Sequence, residues 1–143
     1  MTERSTDTSR DGTPSAAPRH EPTQGLYGWI THTDLASSDP DATRTWCEAV
    51  LGWRFMATME SETAGRYHLF SYSDQGVGGI RGINPPETPG SVPFVHVPDA
   101  RAAFDAAIAA GAEEIVAPAR VMEGVTTAIV RAPGGVAIGF SGP

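Results

Sequence analysis

One pattern of strand, helix and three strands occurs twice along the chain, with a period of about 60 residues. Asp39 and Asp99 stand where the two helices are expected to begin, and Gly52 and Gly111 stand where they are expected to end. Asp is a preferred N-cap residue, and Gly commonly terminates a helix. A repeated supersecondary unit predicts two modules, each with one helix packed against a four-stranded sheet.

The boundaries of these modules follow from composition and turn residues. Residues 1–24 are rich in Ser, Thr, Asp, Pro and Arg and poor in apolar residues, which predicts a disordered tail. Residues 25–143 are expected to form one domain, with module one at 26–84 and module two at 91–143. Arg54–Glu60 is expected to be a single strand, and the proline-rich stretch 84–91 a linker between the modules.

The charged composition excludes several classes of protein. The chain has 143 residues and a net charge of −7, and all ten basic residues are Arg. Without Lys there is no Schiff-base chemistry and no Walker-type phosphate loop. Acidity disfavours nucleic acid and anionic membranes as partners and suits cationic or neutral ligands. A single Cys, no secretory signal and no long apolar run favour a cytoplasmic location.

Several short segments resemble the vicinal oxygen chelate superfamily, which holds glyoxalase I, bleomycin resistance proteins, extradiol dioxygenases and fosfomycin resistance enzymes. The resemblance implies an α+β fold in which two βαβββ modules form paired curved mixed sheets around a cupped cavity. It also suggests a homodimer. The segments that carry it are Ser37-Ser38-Asp39-Pro40, Val50-Leu51-Gly52-Trp53, Gly78-Gly79-Ile80, Val97-Pro98-Asp99, Ala109-Ala110-Gly111-Ala112 and Ala132-Pro133-Gly134-Gly135.

The same resemblance implies where a metal would bind. Metal-using members take ligands from the first and last strand of each module, and the matching positions here are His32, Gly79, Val92 and Gly139. Only one of these can coordinate a metal, whereas a catalytic site typically needs about three protein ligands. We therefore expect no metal cofactor at the usual family site. The alternative left open is a divalent metal held by an unusual set, His32, Asp34 and His96.

Strand alternation predicts which residues share the cupped face. Residues two apart point to one side of a strand, so His32 and Asp34 are expected to face the cup with Phe94 and His96. Phe94 would offer a flat apolar wall for stacking, and His32 with Asp34 would orient a ligand or act as an acid/base pair. Three further candidates are Trp29, Arg81 and Glu123. Trp29 is expected near the cup mouth. Arg81 would be either a carboxylate anchor or a solvated charge at the sheet edge, and Glu123 either an acid/base group or a charge in a turn.

Two functions follow as hypotheses. The first is a binding protein that resembles the bleomycin resistance proteins and holds an aromatic or polycyclic metabolite or antibiotic in the cup. The second is an enzyme of lyase, isomerase or dioxygenase type. It would use either a metal with unusual ligands or no metal, with His32 and Asp34 as the acid/base pair. The low number of metal ligands favours the first hypothesis.

Overall fold

The structure, a computed structural model of the chain, describes residues 27–56, 58–61, 65–71 and 77–143. The tail predicted over residues 1–24 lies outside the described residues. None of the helices in the described ranges has the length and apolar character needed to cross a bilayer.

Two helices and nine strands make up the described residues. The first half contains β1 (Ile30–Ser37), α1 (Pro40–Leu51), β2 (Arg54–Phe55), β3 (Met59–Ser61), β4 (Gly65–Ser71) and β5 (Val77–Gly82). The second half contains β6 (Gly90–His96), α2 (Ala100–Ala109), β7 (Glu113–Met122), β8 (Val125–Arg131) and β9 (Ala137–Gly142).

Both helices begin at the predicted caps. The Asp39 carboxylate accepts a hydrogen bond of 3.1 Å from the backbone N–H of Ala42, and Asp99 accepts one of 2.9 Å from Ala102. Gly52 ends α1 with a φ of 67°, a left-handed conformation that only Gly adopts without a steric penalty. Local sequence therefore sets the helix ends in both modules.

The strands form one mixed sheet in the order β2-β4-β5-β1-β6-β9-β8-β7, and β3 also pairs with β4. Within each module the first strand is parallel to the last, and the modules join where β1 and β6 run antiparallel. The predicted α+β fold of two βαβββ modules is confirmed. It differs in two details: the two sheets are continuous, and the single strand expected over Arg54–Glu60 is two short strands.

Both helices pack on the same side of this sheet, each over its own module. Burial of apolar side chains under a helix is the main source of stability of such a layer. Cys47 of α1 packs with Phe70 and Ile80 of the sheet. Phe104 of α2 packs with Ala128 and Val130.

The side chains that alternate with these residues point to the opposite side, called the helix-free face here. On β1 and β6 this face carries His32, Asp34, Val92 and Phe94, which lie opposite one another in the strand register. Val92 and Phe94 pack with Ile115 and Ile129 into a buried apolar cluster that contains no helical residue. The helix-free face therefore has a core of its own, built from strands alone.

Candidate functional site

A buried group of charges lies on the helix-free face of module one. The guanidinium of Arg81 makes two hydrogen bonds to Glu87, of 2.6 and 3.0 Å, and its Nε donates to Asp34 at 2.9 Å. The hydroxyl of Tyr67 donates to the other oxygen of Asp34 at 2.7 Å. Asp34, Arg81 and Glu87 are each no more than 5% exposed. We call these four residues the charge cluster.

The charge cluster connects four separate parts of the chain. Asp34 comes from β1, Tyr67 from β4, Arg81 from β5 and Glu87 from the linker between the modules. The backbone N–H of Asn84 also donates to Glu87, at 3.0 Å, so the linker is bonded to the sheet and to itself. Buried charges are costly unless they are paired and hydrogen-bonded, and each charge here has a partner. The cluster therefore holds the linker against module one.

Burial and charge shift two pKa values in the cluster. Burial, with the neighbouring charge of Asp34 and the hydrogen bond to it, raises the pKa of Tyr67 well above its ordinary value. Burial alone lowers the pKa of Arg81, but the hydrogen bonds and charges of Glu87 and Asp34 outweigh it, and the pKa rises. At neutral pH Tyr67 is therefore a hydrogen-bond donor and Arg81 a fixed cation.

A cavity of about 230 Å³ lies next to the charge cluster, between the linker and module two. Its apolar side is formed by Val92 and Ile115, which belong to the buried cluster of the helix-free face, and by Ala137 and Val136. Its polar side carries Arg131 and Glu87. The cavity thus has both polar and apolar lining groups, and concave sites that bind small molecules combine the two.

The two histidines predicted on this face are both held by aromatic rings. His32 stacks on Phe94 with ring centroids 4.6 Å apart, and its Nδ1 lies 3.1 Å from the hydroxyl of Thr31. His96 is covered by Tyr27, with centroids 5.2 Å apart. The carbonyl oxygen of Ser141 lies 3.1 Å from Nδ1 of His96 and can only accept, so this nitrogen carries the hydrogen.

The structure brings the predicted residues together differently from the expectation. His32, Asp34, Phe94 and His96 share the helix-free face, as strand alternation predicts. Both oxygens of Asp34 accept hydrogen bonds, one from Tyr67 and the other from Arg81, which the sequence did not predict.

The remaining predicted residues have separate environments. Arg81 is buried, so the reading as a solvated edge charge is wrong, and the carboxylates that it anchors are those of the protein itself. Trp29 is 63% exposed just before β1. Glu123 is exposed at the turn that joins β7 and β8.

Each module has a Gly on its last strand that an aromatic ring covers. A Cβ atom added to Gly139 would lie 2.5 Å from the ring of Phe94, and one added to Gly79 would overlap the ring of Tyr67. The strand register places Gly139 opposite Phe94 and Gly79 opposite Asp34. The space that a side chain at either position needs is therefore filled.

Residues 29–140 match the family described as the Glyoxalase/Bleomycin resistance protein/Dioxygenase superfamily. The chain belongs to this superfamily. The match covers both modules and confirms the resemblance seen in the sequence. None of the curated proteins compared with the chain matches it.

Several solved structures share the fold of this chain at low sequence identity. Methylmalonyl-CoA epimerase from Mycobacterium tuberculosis aligns over 87% of this chain and 94% of its own, with 17% identity and a TM-score of 0.59. A hypothetical protein from Bacillus halodurans aligns over 80% and 93%, with 12% identity and a TM-score of 0.57. A mutant 4-hydroxymandelate synthase from Streptomyces coelicolor aligns over 80% of this chain but 38% of its own, with 21% identity and a TM-score of 0.56.

The residues present do not fit the metal site that the superfamily resemblance implies. Of the four implied ligand positions, Gly79 and Gly139 have no room for a side chain, and Val92 belongs to the apolar cluster. Within the described ranges, no three His, Cys, Asp or Glu side chains come together as a possible metal-binding group. The unusual set His32, Asp34 and His96 is thus not assembled in the described structure, where Asp34 is bonded to Arg81 instead.

Tyr67, Glu87, Ile115 and Arg131 belong to the candidate site but were not identified as site residues from the sequence. Arg131 follows the alternation of β8, so a wider use of strand parity could have found it, whereas Ile115 lies at an irregularity in the pairing of β7 with β8. Glu87 had no such signal, because it lies in a linker and its partner is brought close only by the folded chain.

The raised pKa of Tyr67 predicts a loss of stability in alkaline solution. An unfolded chain releases the phenolic proton above about pH 10, whereas the folded chain retains it, so the free energy of unfolding falls as pH rises above that value. Tyr67→Phe should remove this part of the fall. Urea unfolding of both proteins at about pH 8.5 and about pH 10.5 measures the difference. Equal pH dependence of the two proteins would contradict the assignment.

Proposed function

We propose that this chain binds a small aromatic molecule in the cavity on the helix-free face, without a metal at the family site. The observation that carries the proposal is the position of the cavity. Val92 and Ile115 stand beside a charge cluster in which Arg81 bonds both buried carboxylates. Such a site offers apolar contact to a ring and leaves few polar groups to orient it.

The size of the cavity supports a ligand with a single ring. Pockets for drug-sized ligands measure about 300–1,000 Å³, and the cavity here measures about 230 Å³. A polycyclic antibiotic, which the sequence left open, would require the linker to move away from module two. We therefore propose an occupant no larger than one ring with a short substituent.

Binding without turnover is supported by how the candidate acid/base groups are used. A general base must lie within hydrogen-bonding reach of the substrate. Neither His32 nor Asp34 lines the cavity, and Asp34 is bonded to Tyr67 and Arg81. No observation favours the enzymatic alternative with His32 and Asp34 over simple binding.

The neutral probe 2-phenylacetamide tests the proposal by NMR titration of the ¹⁵N-labelled chain. We expect saturable shifts in the backbone signals of Val92, Ile115 and Ala137. Ala137→Leu fills the cavity and should weaken binding by about ten-fold or more, the equivalent of about 1.4 kcal/mol. The matched control is Ala109→Leu, which makes the same change at an exposed position on α2.

Two outcomes would contradict the proposed site. One is an Ala137→Leu protein that binds the probe as tightly as the unaltered chain. The other is a set of shifts centred on the helices, with none at the three cavity residues. A well-dispersed spectrum of each variant confirms that it is folded before affinities are compared.

We also propose that the protein is a homodimer in the cytoplasm. Exposed apolar side chains on α1 support association, since Trp46 and Val50 are 56% and 60% exposed. Light scattering at micromolar concentration tests the dimer, and a mass close to the 15.0 kDa of one chain would contradict it.

A further inference from the structure

We propose that the ligand of this cavity carries a carboxylate, and that Arg131 binds it. The inference rests on the proposed function and adds the chemical class of the ligand. An aryl carboxylate of one ring would place its ring against Val92 and Ile115 and its acid group at the guanidinium of Arg131.

Arg131 is half-buried and is held more loosely than the buried Arg81. Its Nη2 donates to the carbonyl oxygen of Pro86 at 2.9 Å. Its Nη1 lies 3.6 Å from the carboxylate of Glu113, beyond hydrogen-bonding distance, and the side chain of Glu113 is 75% exposed. An exposed ion pair of this kind contributes little, so a ligand carboxylate can replace Glu113 at small cost.

The other charge on the cavity wall is already satisfied. Both oxygens of Glu87 accept hydrogen bonds from Arg81, and one also accepts from the backbone of Asn84. Asp34, the second carboxylate of the charge cluster, does not line the cavity. Among the lining residues, Arg131 is therefore the group able to take a new charged partner.

This assignment differs from the preference that the whole chain suggests. A net charge of −7 favours cationic or neutral ligands at long range. Solvent-exposed charges are screened beyond about 8 Å at physiological ionic strength. A planar guanidinium in direct contact with a carboxylate forms paired, charge-assisted hydrogen bonds, and this local contact decides the preference.

The test compares phenylacetate with 2-phenylacetamide, which has the same shape without the charge, by NMR titration near neutral pH. The unaltered chain should bind phenylacetate at least about ten-fold more tightly than the amide. Arg131→Gln should bring the two affinities within about two-fold of each other, mainly by weakening phenylacetate. Arg131→Lys keeps the charge and should retain a preference for the acid.

Arg120→Gln is the matched control. Arg120 is exposed on β7 and pairs with Thr126, on the side of the sheet that faces α2. Arg120→Gln changes the net charge by the same amount as Arg131→Gln, but the preference for phenylacetate should persist.

Three other results would contradict the carboxylate inference, the role of Arg131 or the proposed function. If the unaltered chain binds amide and acid equally, or binds the cation phenethylamine most tightly, the carboxylate inference is wrong and the proposed site stands. If Arg120→Gln abolishes the preference as fully as Arg131→Gln, the effect comes from net charge and the role of Arg131 is wrong. If neither probe shifts the signals of Val92 and Ala137, the proposed function itself fails.

Discussion

Arg81→Met is expected to lower the free energy of unfolding by about 3–5 kcal/mol. The substitution keeps an unbranched apolar side chain but removes the cation that pairs with Asp34 and Glu87. Both carboxylates are buried, so each would remain charged without its partner or would have to take up a proton. Urea unfolding followed by circular dichroism measures the change.

Arg66→Met provides the matched control for this prediction. Arg66 is 61% exposed, and it lies 3.5 Å from Asp41 and 3.7 Å from Glu60. Exposed ion pairs contribute about 0–1 kcal/mol, so this variant should lose no more than that. If Arg81→Met loses no more stability than Arg66→Met, the charge cluster does not hold the linker to the sheet.

Phe94→Ala is expected to lower the free energy of unfolding by about 3–5 kcal/mol as well. The ring is 3% exposed, packs with Val92 and Ile129, and is stacked against His32. Its removal would leave a void over Gly139. The alternation of β6 predicted a wall for ligand stacking, and the structure shows that the ring is also part of the core of the helix-free face.

Trp29→Ala tests whether this loss depends on burial. Trp29 is also aromatic but is 63% exposed just before β1, away from the α1 surface proposed for association. An exposed substitution away from caps and buried contacts usually changes stability by less than about 0.5 kcal/mol. Equal losses in the two variants would show that Phe94 is not a core residue of the helix-free face.

Much of the fold could be predicted because its signals are local. The Asp39 and Asp99 caps and the Gly52 terminator act within one turn of their own helices. The division of Arg54–Glu60 into β2 and β3 was not predicted. Its pattern suits one strand, and the separate pairings of the two halves with β4 depend on the folded sheet.

The candidate site could be predicted only in part, because strand alternation fixes the face of a side chain but not its partners. It placed Asp34 and Phe94 on the helix-free face. It did not show that Asp34 bonds to Arg81, or that Glu87 reaches the same guanidinium from a linker. Such pairings between residues distant in sequence are set by how the modules and linker pack.

Metal-independent binding on the helix-free face is the central claim of the proposed function. One measurement tests it directly: the affinity of 2-phenylacetamide for the full chain, first with excess EDTA and then with excess Mn²⁺ or Zn²⁺. Because Gly79, Gly139 and Val92 leave no family metal site, we expect the same dissociation constant in all three solutions. Binding that is lost in EDTA and restored by one metal ion per chain would contradict the proposed function.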